Sequence, residues 1–102
     1  MPTSKEYYEF ISDQLSHLSE VSYRKMMGEY ILYFGGKVVG GIYDDRLLVK
    51  PTESALALVP NASLVSPYEG AKDMLLVEDP ENRDFLTELL RVVAKDLPAS
   101  KH

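Results

Sequence analysis

The sequence predicts an α+β domain in which an antiparallel β-meander of about four strands packs against an N-terminal and a C-terminal helix. Two observations support this class. Apolar residues recur with amphipathic-helix spacing near both ends of the chain. Between them the pattern changes to the alternation of half-buried strands, with short turn sequences between the runs. The predicted order is α-β-β-β-α-β-α, and helices on one face of the sheet would bury both apolar stripes.

The first helix is predicted from about Ser4 to His17. Thr3 and Glu6 have the T-x-x-E spacing of a capping box, in which each side chain bonds a free backbone N–H of the other residue. The apolar stripe that follows consists of Tyr7, Phe10, Ile11, Leu15 and Leu18.

A three-stranded meander follows the first helix. Glycine adopts positive φ without steric cost, so Gly35-Gly36 predicts a two-residue hairpin turn. The first strand should place Met26 and Tyr30 on the same face, because side chains alternate along a strand. The strands and turns are, in order, Lys25–Phe34, Gly35-Gly36, Lys37–Tyr43, Asp44-Asp45 and Arg46–Lys50.

The second half of the chain is predicted to add one strand and two helices. Asp79 is expected to cap the last helix with Pro80 in its first turn, since proline needs no hydrogen-bond donor there. Residues 1–102 should form one domain, with 1–3 and 98–102 mobile. The predicted elements are a short helix over Glu53–Val59, an ordered loop over Asn61–Gly70, a strand over Met74–Val77 and a helix from Asp79 to Pro98.

Composition restricts the classes of function. The 102 residues contain no cysteine, which excludes disulfides and thiolate chemistry. The apolar runs fall short of the ~20 residues of a membrane span, and residues 1–5 lack the apolar core of a signal peptide. We therefore expect a cytoplasmic protein with no membrane partner. A net charge of −5 disfavours DNA as a partner, because nonspecific DNA binding depends on cations that neutralise phosphates.

The predicted meander resembles the TfoX/Sxy N-terminal domain family. Within Tyr23–Tyr33, a basic residue, methionine, glycine and alternating tyrosines occur in the order typical of that family. Order, spacing and loop lengths agree together over nearly the whole chain. The similarity continues through Gly36-Lys37-Val38, Gly41-Ile42, Asp44-Asp45 and Leu47–Lys50 to Tyr68 and the closing helix.

The resemblance implies an α+β regulatory domain from bacterial or archaeal cells, linked to regulators of natural competence. It brings no catalytic residues to this sequence. Those regulators usually carry a second, helical C-terminal domain, whereas this sequence stops at His102. We therefore expect a stand-alone N-terminal domain.

The sequence contains no catalytic or metal-binding constellation, and we expect neither an enzyme nor a cofactor. His17 near a helix end and His102 at the terminus are the two histidines, and without cysteine they provide no ligand set for a transition metal. Asp44-Asp45 are predicted to be turn residues rather than paired carboxylates.

Charged residues and polar-tipped aromatics around the meander are the candidate binding residues. The Arg24 guanidinium is a planar hydrogen-bond donor for a carboxylate or phosphate, and Lys50 could supply a point charge at the mouth of the same binding site. In the alternative, structural interpretation, Arg24 pairs with Glu29 or an acid of the last helix while the tyrosines cover the sheet. The full set is Tyr23, Arg24, Glu29, Tyr33, Lys50 and Tyr68.

The leading hypothesis is a non-catalytic, TfoX-type interaction domain that modulates transcription or competence through an unidentified protein partner. Two alternatives stay open. One is direct DNA binding through a patch of Arg24, Lys25, Lys37 and Lys50, and the other is binding of a small anionic ligand near Arg24 and Lys50. A homodimer is also expected through the third or fourth predicted strand, because an uncovered sheet edge invites pairing.

Overall fold

A computed structural model describes residues 2–98 of the chain. It confirms the α+β class, with six strands where the sequence predicts about four. One added strand comes from a split in the first predicted strand, and the other lies in the predicted loop. The helices are α1 (Lys5–Gln14), α2 (Glu53–Leu58) and α3 (Arg83–Asp96), and the strands are β1 (Val21–Met26), β2 (Glu29–Phe34), β3 (Lys37–Ile42), β4 (Leu47–Val49), β5 (Leu64–Val65) and β6 (Met74–Leu76).

The six strands form one antiparallel sheet in the order β1-β2-β3-β4-β6-β5. The first four are neighbours in sequence and make up the meander. Pairing across them aligns Tyr30, Ile42 and Leu47 in one row. These three residues pack into the same apolar cluster as residues of all three helices. The helices therefore lie on one face of the sheet, as predicted.

The core between sheet and helices is built from apolar side chains. Ile11 of α1 and Leu15, the residue after the helix, are at most 1% exposed. Full burial of such a side chain contributes about 1.5–3 kcal/mol, so this layer supplies most of the stabilisation. The sheet contributes Leu32, Val39, Ile42, Leu47, Val49 and Leu75, and α3 contributes Leu86, Leu89, Leu90, Val93 and Ala94.

Three two-residue turns connect the four strands of the meander. In each turn both central residues have positive φ, which is the geometry of a type I′ turn and matches the twist of the flanking strands. Gly35-Gly36 forms one of them, as predicted. Asp44-Asp45 forms another, closed by two reciprocal backbone hydrogen bonds of 2.9 and 3.0 Å between its flanking residues. Aspartate tolerates this left-handed region better than most residues.

The prediction of one strand over residues 25–34 is wrong. Met27 and Gly28 form the third turn, with φ of 53° and 86°, and they divide the run into β1 and β2. Methionine is not typical of this left-handed position, so the pattern of residue types hides the turn. The division also changes the face of Met26, which pairs with Glu29 and no longer shares a face with Tyr30.

A cluster of hydrogen bonds around Glu29 joins three separate segments at one end of the sheet. Glu29 Oε1 accepts from the Thr3 hydroxyl at 2.7 Å, from the Thr3 N–H at 3.2 Å and from the Asp44 N–H at 3.2 Å. Asp45 Oδ1 accepts from the Ser4 N–H at 2.7 Å. This Glu29 cluster fixes the N-terminal segment against the β1–β2 and β3–β4 turns.

The same cluster explains why the predicted cap of α1 is wrong. Because the Thr3 hydroxyl is bound to Glu29, Ser4 caps the helix instead, and its Oγ accepts from the Tyr7 N–H at 3.1 Å. Thr3 belongs to the segment expected to be mobile, yet it is only 9% exposed and hydrogen-bonded to the sheet. Most of the two ends predicted to be mobile lies outside the described residues, namely Met1 and residues 99–102.

The predicted start of the last helix is also wrong. Asn82, not Asp79, caps α3, and its side chain accepts the N–H three residues further on at 3.0 Å. The carbonyl oxygens of Pro80 and Glu81 both accept from Gln14 Nε2, at 2.9 Å. A helix that began at Pro80 would need those oxygens for its own backbone bonds.

The edges of the sheet are β1 and β5, so the predicted edge strands are wrong. β4 is paired on both sides by β3 and β6, and β6 is paired by β4 and β5. β5 occupies the far edge because residues of the predicted loop pair with β6. The route to a homodimer through Arg46–Lys50 or Met74–Val77 is therefore closed. β1 carries Arg24 and Lys25, and charged side chains protect an edge from pairing.

Thr3→Ala should lower the free energy of unfolding by about 1–3 kcal/mol, because it removes the hydroxyl that binds a partly buried carboxylate. Thr3→Ser keeps the hydroxyl and should cost less than about 1 kcal/mol for the lost methyl group. Urea unfolding followed by circular dichroism compares the two variants. If Thr3→Ala had the stability of the unchanged protein, the hydrogen bond from the Thr3 hydroxyl to Glu29 would not stabilise the fold.

Candidate protein-interaction surface

The sheet face opposite the helices carries the candidate site, and we name it the helix-free face. Directly paired residues of antiparallel strands project to the same side, so the pairing defines its central row. Leu48 lies in that row and is fully buried, yet it is outside the core cluster on the helix side. The segment 66–73 covers part of this face, where Arg46 donates to the Pro67 carbonyl at 3.3 Å. The central row consists of Arg24, Ile31, Gly41, Leu48 and Leu76.

A groove of about 410 Å³ opens on the helix-free face beside the β1–β2 turn. Tyr68 contacts Tyr43 along it, with ring centroids 6.3 Å apart and ring planes at 56°. The Tyr43 ring lies against Gly41, where a Cβ atom would come within 2.5 Å of it, so a larger residue there would displace the ring. We name this feature the Met–Tyr groove, and it is lined by Met26, Met27, Glu29, Ile31, Tyr43, Pro67 and Tyr68.

The apolar lining of the groove is open to solvent. Met27 is 97% exposed, Tyr68 64% and Met26 46%. Single exposed apolar residues are ordinary on protein surfaces, whereas a contiguous exposed apolar patch marks an interaction site. Methionine suits such a surface, because its flexible and polarizable side chain adapts to the shape of a partner. The groove therefore presents a contiguous, largely apolar surface to solvent.

Met27 holds a backbone conformation that its side chain disfavours. Its φ of 53° lies in the left-handed region, which glycine and asparagine adopt at lower cost. Almost the whole side chain is in solvent, so packing within residues 2–98 does not offset that cost. Strained residues that persist at an exposed surface often serve a function there. Met27 is therefore a strained residue whose side chain is presented to solvent at the groove.

Glu29 is the charged residue in the groove lining. Its Oε1 is engaged in the Glu29 cluster, whereas Oε2 makes no hydrogen bond with any residue from 2 to 98. Burial raises the pKa of the Tyr43 hydroxyl, and the nearby Tyr68 and Glu29 raise it further. The groove therefore has a negative end at the β1–β2 turn.

Arg24 lies on the same face, directly across from Ile31. It is exposed and forms no ion pair with any residue from 2 to 98. The predicted pair with Glu29 does not form, because the Glu29 carboxylate is held by Thr3 and Asp44. The acids of α3, the other predicted partners, belong to a helix on the opposite face. Arg24 is therefore available to an external group.

Two further predicted site residues lie on the helix-free face but not in the groove. Tyr33 is one row beyond Arg24. Lys50, at the end of β4, lines a neighbouring cavity of about 530 Å³ together with Tyr68. Since β2 and β3 separate β1 from β4, and Lys50 lies two residues beyond the row of Arg24, the two residues are more than about 14 Å apart at ordinary strand spacing. The prediction that they share one mouth is wrong.

Tyr23 is the predicted site residue that lies on the opposite face. Its ring makes an edge-to-face contact with Tyr8 at 5.2 Å, and Tyr8 stacks on Tyr30 at 4.1 Å. The Tyr23 hydroxyl is buried without a hydrogen-bond partner among residues 2–98. Burial raises the pKa of Tyr23 to about 12, and the nearby Ser12 hydroxyl opposes this rise without reaching hydrogen-bonding geometry. Tyr23 therefore packs α1 against the sheet.

Several groove residues are absent from the sequence-predicted set. Gly28 could have indicated two of them, Met26 and Met27, because a glycine directly after Met27 fits the second central position of a type I′ turn. Such a turn leaves Met26 and Met27 at the tip of a hairpin. Pro67 has no comparable local signal, since its place depends on how the segment 66–73 packs on the sheet.

The described residues that were considered for catalysis form structural contacts or turns. His17 Nε2 lies 2.8 Å from Thr87 Oγ1 and links the turn after α1 to α3, while His102 is outside the described residues. Asp44 and Asp45 are turn residues, as predicted. Between residues 2 and 98, no group of three or more histidine or acidic side chains could hold a metal ion. No helix in that part of the chain is long and apolar enough to cross a membrane.

Met27→Asn should raise the free energy of unfolding by about 1 kcal/mol, because asparagine relieves the left-handed strain. Met26→Asn is the matched control, since it removes the same side chain from an ordinary strand position. It should leave the stability unchanged or lower it. Thermal unfolding of both variants measures the difference, and a destabilised Met27→Asn would refute the strain argument.

Tyr23→Phe should make the free energy of unfolding fall less steeply with rising alkaline pH. The unfolded chain releases the Tyr23 proton near pH 10 and the folded chain near pH 12. The contribution of Tyr23 to the free energy of unfolding is therefore present below pH 10 and is lost as the pH rises between these values. Phenylalanine removes this titration and the unpaired hydroxyl. Unfolding from pH 7 to 12 compares it with Tyr33→Phe on the opposite face. Parallel curves for both variants would contradict the expectation.

Comparison with known proteins assigns the family. The model of the TfoX N-terminal domain matches residues 13–86. A protein of Spirochaeta aurantia described as an uncharacterized 12.7 kDa protein in the trpE 5′ region is 40% identical over 102 residues, which covers 99% of this chain and 89% of the relative. No solved structure gives a significant match. The chain therefore belongs to the TfoX N-terminal domain family.

Proposed function

We propose that this protein is a non-catalytic regulatory domain of the cytoplasm that binds a protein partner through the helix-free face and thereby modulates transcription or competence. Membership of the TfoX N-terminal domain family supports the regulatory part of the proposal. The observation that carries the binding part is the Met–Tyr groove, in which a strained methionine and a tyrosine are presented to solvent.

The arrangement of charge favours a protein over DNA. Lys37 is engaged at the C-terminus of α3, where its Nζ donates to the carbonyl oxygens of Ala94 at 3.0 Å and Leu97 at 3.2 Å. Lys25 pairs with Tyr30 and so projects to the helix side, whereas Arg24 projects to the other. The four residues of the alternative DNA-binding patch are thus dispersed, and a dispersed set cannot follow the phosphates of one duplex.

A small anionic ligand held jointly by Arg24 and Lys50 is also disfavoured. The two cations are separated by two strands, so one small anion cannot bridge them. Arg24 can still pair with a single carboxylate of a bound protein, in the bidentate geometry typical of arginine. Tyr33 lies next to it on the same face and extends the contact area.

Affinity capture of tagged variants from host lysate tests the proposal. A groove variant that combines Met27→Asn with Tyr68→Ser should bind the partner at least about tenfold more weakly. This corresponds to the ~1.4 kcal/mol of binding free energy that two exposed contact residues supply. Leu56→Ser is the matched control, because Leu56 is an exposed apolar residue on α2, away from the groove. It should retain the partner.

Nuclease treatment of the lysate separates the alternatives. The partner should persist after nuclease if the contact is between proteins, and it should vanish if nucleic acid bridges the two. If the groove variant and an Arg24→Ala, Lys50→Ala variant both fold and keep every partner, the helix-free face is not the binding surface.

A further inference from the structure

We infer that the Met–Tyr groove binds a basic side chain, arginine or lysine, of the protein partner. This inference rests on the proposed function and adds the chemistry of the occupant. A basic side chain combines a long apolar stem with a cationic head. The groove offers the complement, since it has aromatic and aliphatic walls and a carboxylate at one end.

The aromatic walls suit a cation. Tyr43 and Tyr68 are tilted at 56° with centroids 6.3 Å apart, so a group that lies over both rings can approach the face of one and the edge of the other. A guanidinium or ammonium within about 6 Å of a ring centroid is attracted by the negative charge density of the ring face. Met26 and Ile31 lie beside the rings and provide apolar contact for the stem.

Acidic side chains predominate at the turn end, where the nearby cation Arg46 is engaged with the Tyr43 and Pro67 carbonyl oxygens. Glu29 Oε2 has no hydrogen-bond donor among residues 2–98, so an incoming N–H group would satisfy it. Asp44 is next to it in space, because the Asp44 N–H bonds the other oxygen of the same carboxylate at 3.2 Å. Asp44 and Asp45 are both exposed. Arg24 lies across from Ile31, towards the other end, and so directs the cation to the Glu29 end.

Other occupants fit less well. An acidic side chain would bring its carboxylate against that of Glu29, and like charges repel. A purely apolar side chain would displace water from Glu29 Oε2 without replacing its hydrogen bond, which carries a desolvation cost. Charge complementarity therefore favours a basic side chain over both.

A nitrogen-15 NMR titration of the whole chain with two matched fragments tests the inference. N-acetyl-arginine amide should shift the amide signals of Met26, Met27 and Tyr68. N-acetyl-citrulline amide has nearly the same shape without the charge, and it should bind the groove at least about fivefold more weakly. N-acetyl-glutamate amide, an acidic probe, should leave the groove signals unchanged.

Variants identify the groups responsible. Glu29→Gln keeps an oxygen acceptor for Thr3 and Asp44 but removes the charge, so it should abolish the preference for the arginine fragment. If that variant does not fold, Asp44→Asn serves instead, because asparagine fits the left-handed turn position, and it should weaken the arginine fragment about twofold to fivefold. Tyr68→Leu should lower arginine binding more than citrulline binding. Glu88→Gln on α3 changes the net charge equally and should have no effect.

Equal affinity for the arginine and citrulline fragments would overturn the inference, as would binding of the glutamate fragment or groove signals that respond to none of the three. These outcomes leave the proposed function standing if the groove variant still loses its partner in the capture experiment. A partner that survives both the groove variant and the Arg24→Ala, Lys50→Ala variant would refute the proposed function instead.

Discussion

The carboxylate of Glu29 is the constraint on which the arrangement of this protein depends. One of its oxygens accepts three hydrogen bonds from two segments that are distant in sequence, namely the residues before α1 and the turn after β3. Charged acceptors form stronger hydrogen bonds than neutral ones, so one side chain can align a helix and two hairpins. Glu29 also lines the groove. The residue that fixes the end of the sheet therefore also sets the charge of the candidate site.

The two faces of the sheet have different physical roles because all three helices lie on one of them. The helix side buries large aliphatic residues, and its tyrosines pack at the rim of α1. The opposite face keeps apolar residues at the surface and leaves Arg24 without an ion pair among the described residues. A protein that needed only stability would place polar side chains on its solvent face. An apolar and charged outer face is instead typical of a surface that another molecule covers.

The sequence predicts most of the fold because periodicity and turn chemistry are local. Gly35-Gly36 and Asp44-Asp45 are strong turn signals, and both turns are present. Met27-Gly28 escapes such reasoning, since methionine contradicts the turn that glycine suggests. The helix starts are displaced for a different reason, because Thr3 and the carbonyl groups of Pro80 and Glu81 bind partners far along the chain.

The candidate site was partly predictable for the same reasons. Arg24, Glu29, Tyr33, Lys50 and Tyr68 stand out as polar or aromatic residues around a meander, and the structure places all five on the helix-free face or its margins. Sequence reasoning cannot separate Tyr23 from them, because its face is set by the turn at Met27 and Gly28. Nor can it pair Tyr43 with Tyr68, whose contact depends on the tertiary position of the segment 66–73.

The three tight turns have a consequence for the order in which the chain folds. Each joins neighbouring strands through contacts that are close in sequence, and chains rich in local contacts fold quickly because little loop entropy is lost. The bonds from Thr3 to Glu29 and from Ser4 to Asp45 span 26 and 41 residues. We therefore expect the meander to form first and the residues before α1 to bind Glu29 and Asp45 later. Because few residues of this N-terminal segment hold it to the sheet, we also expect it to detach from Glu29 by local unfolding while the hairpins stay intact.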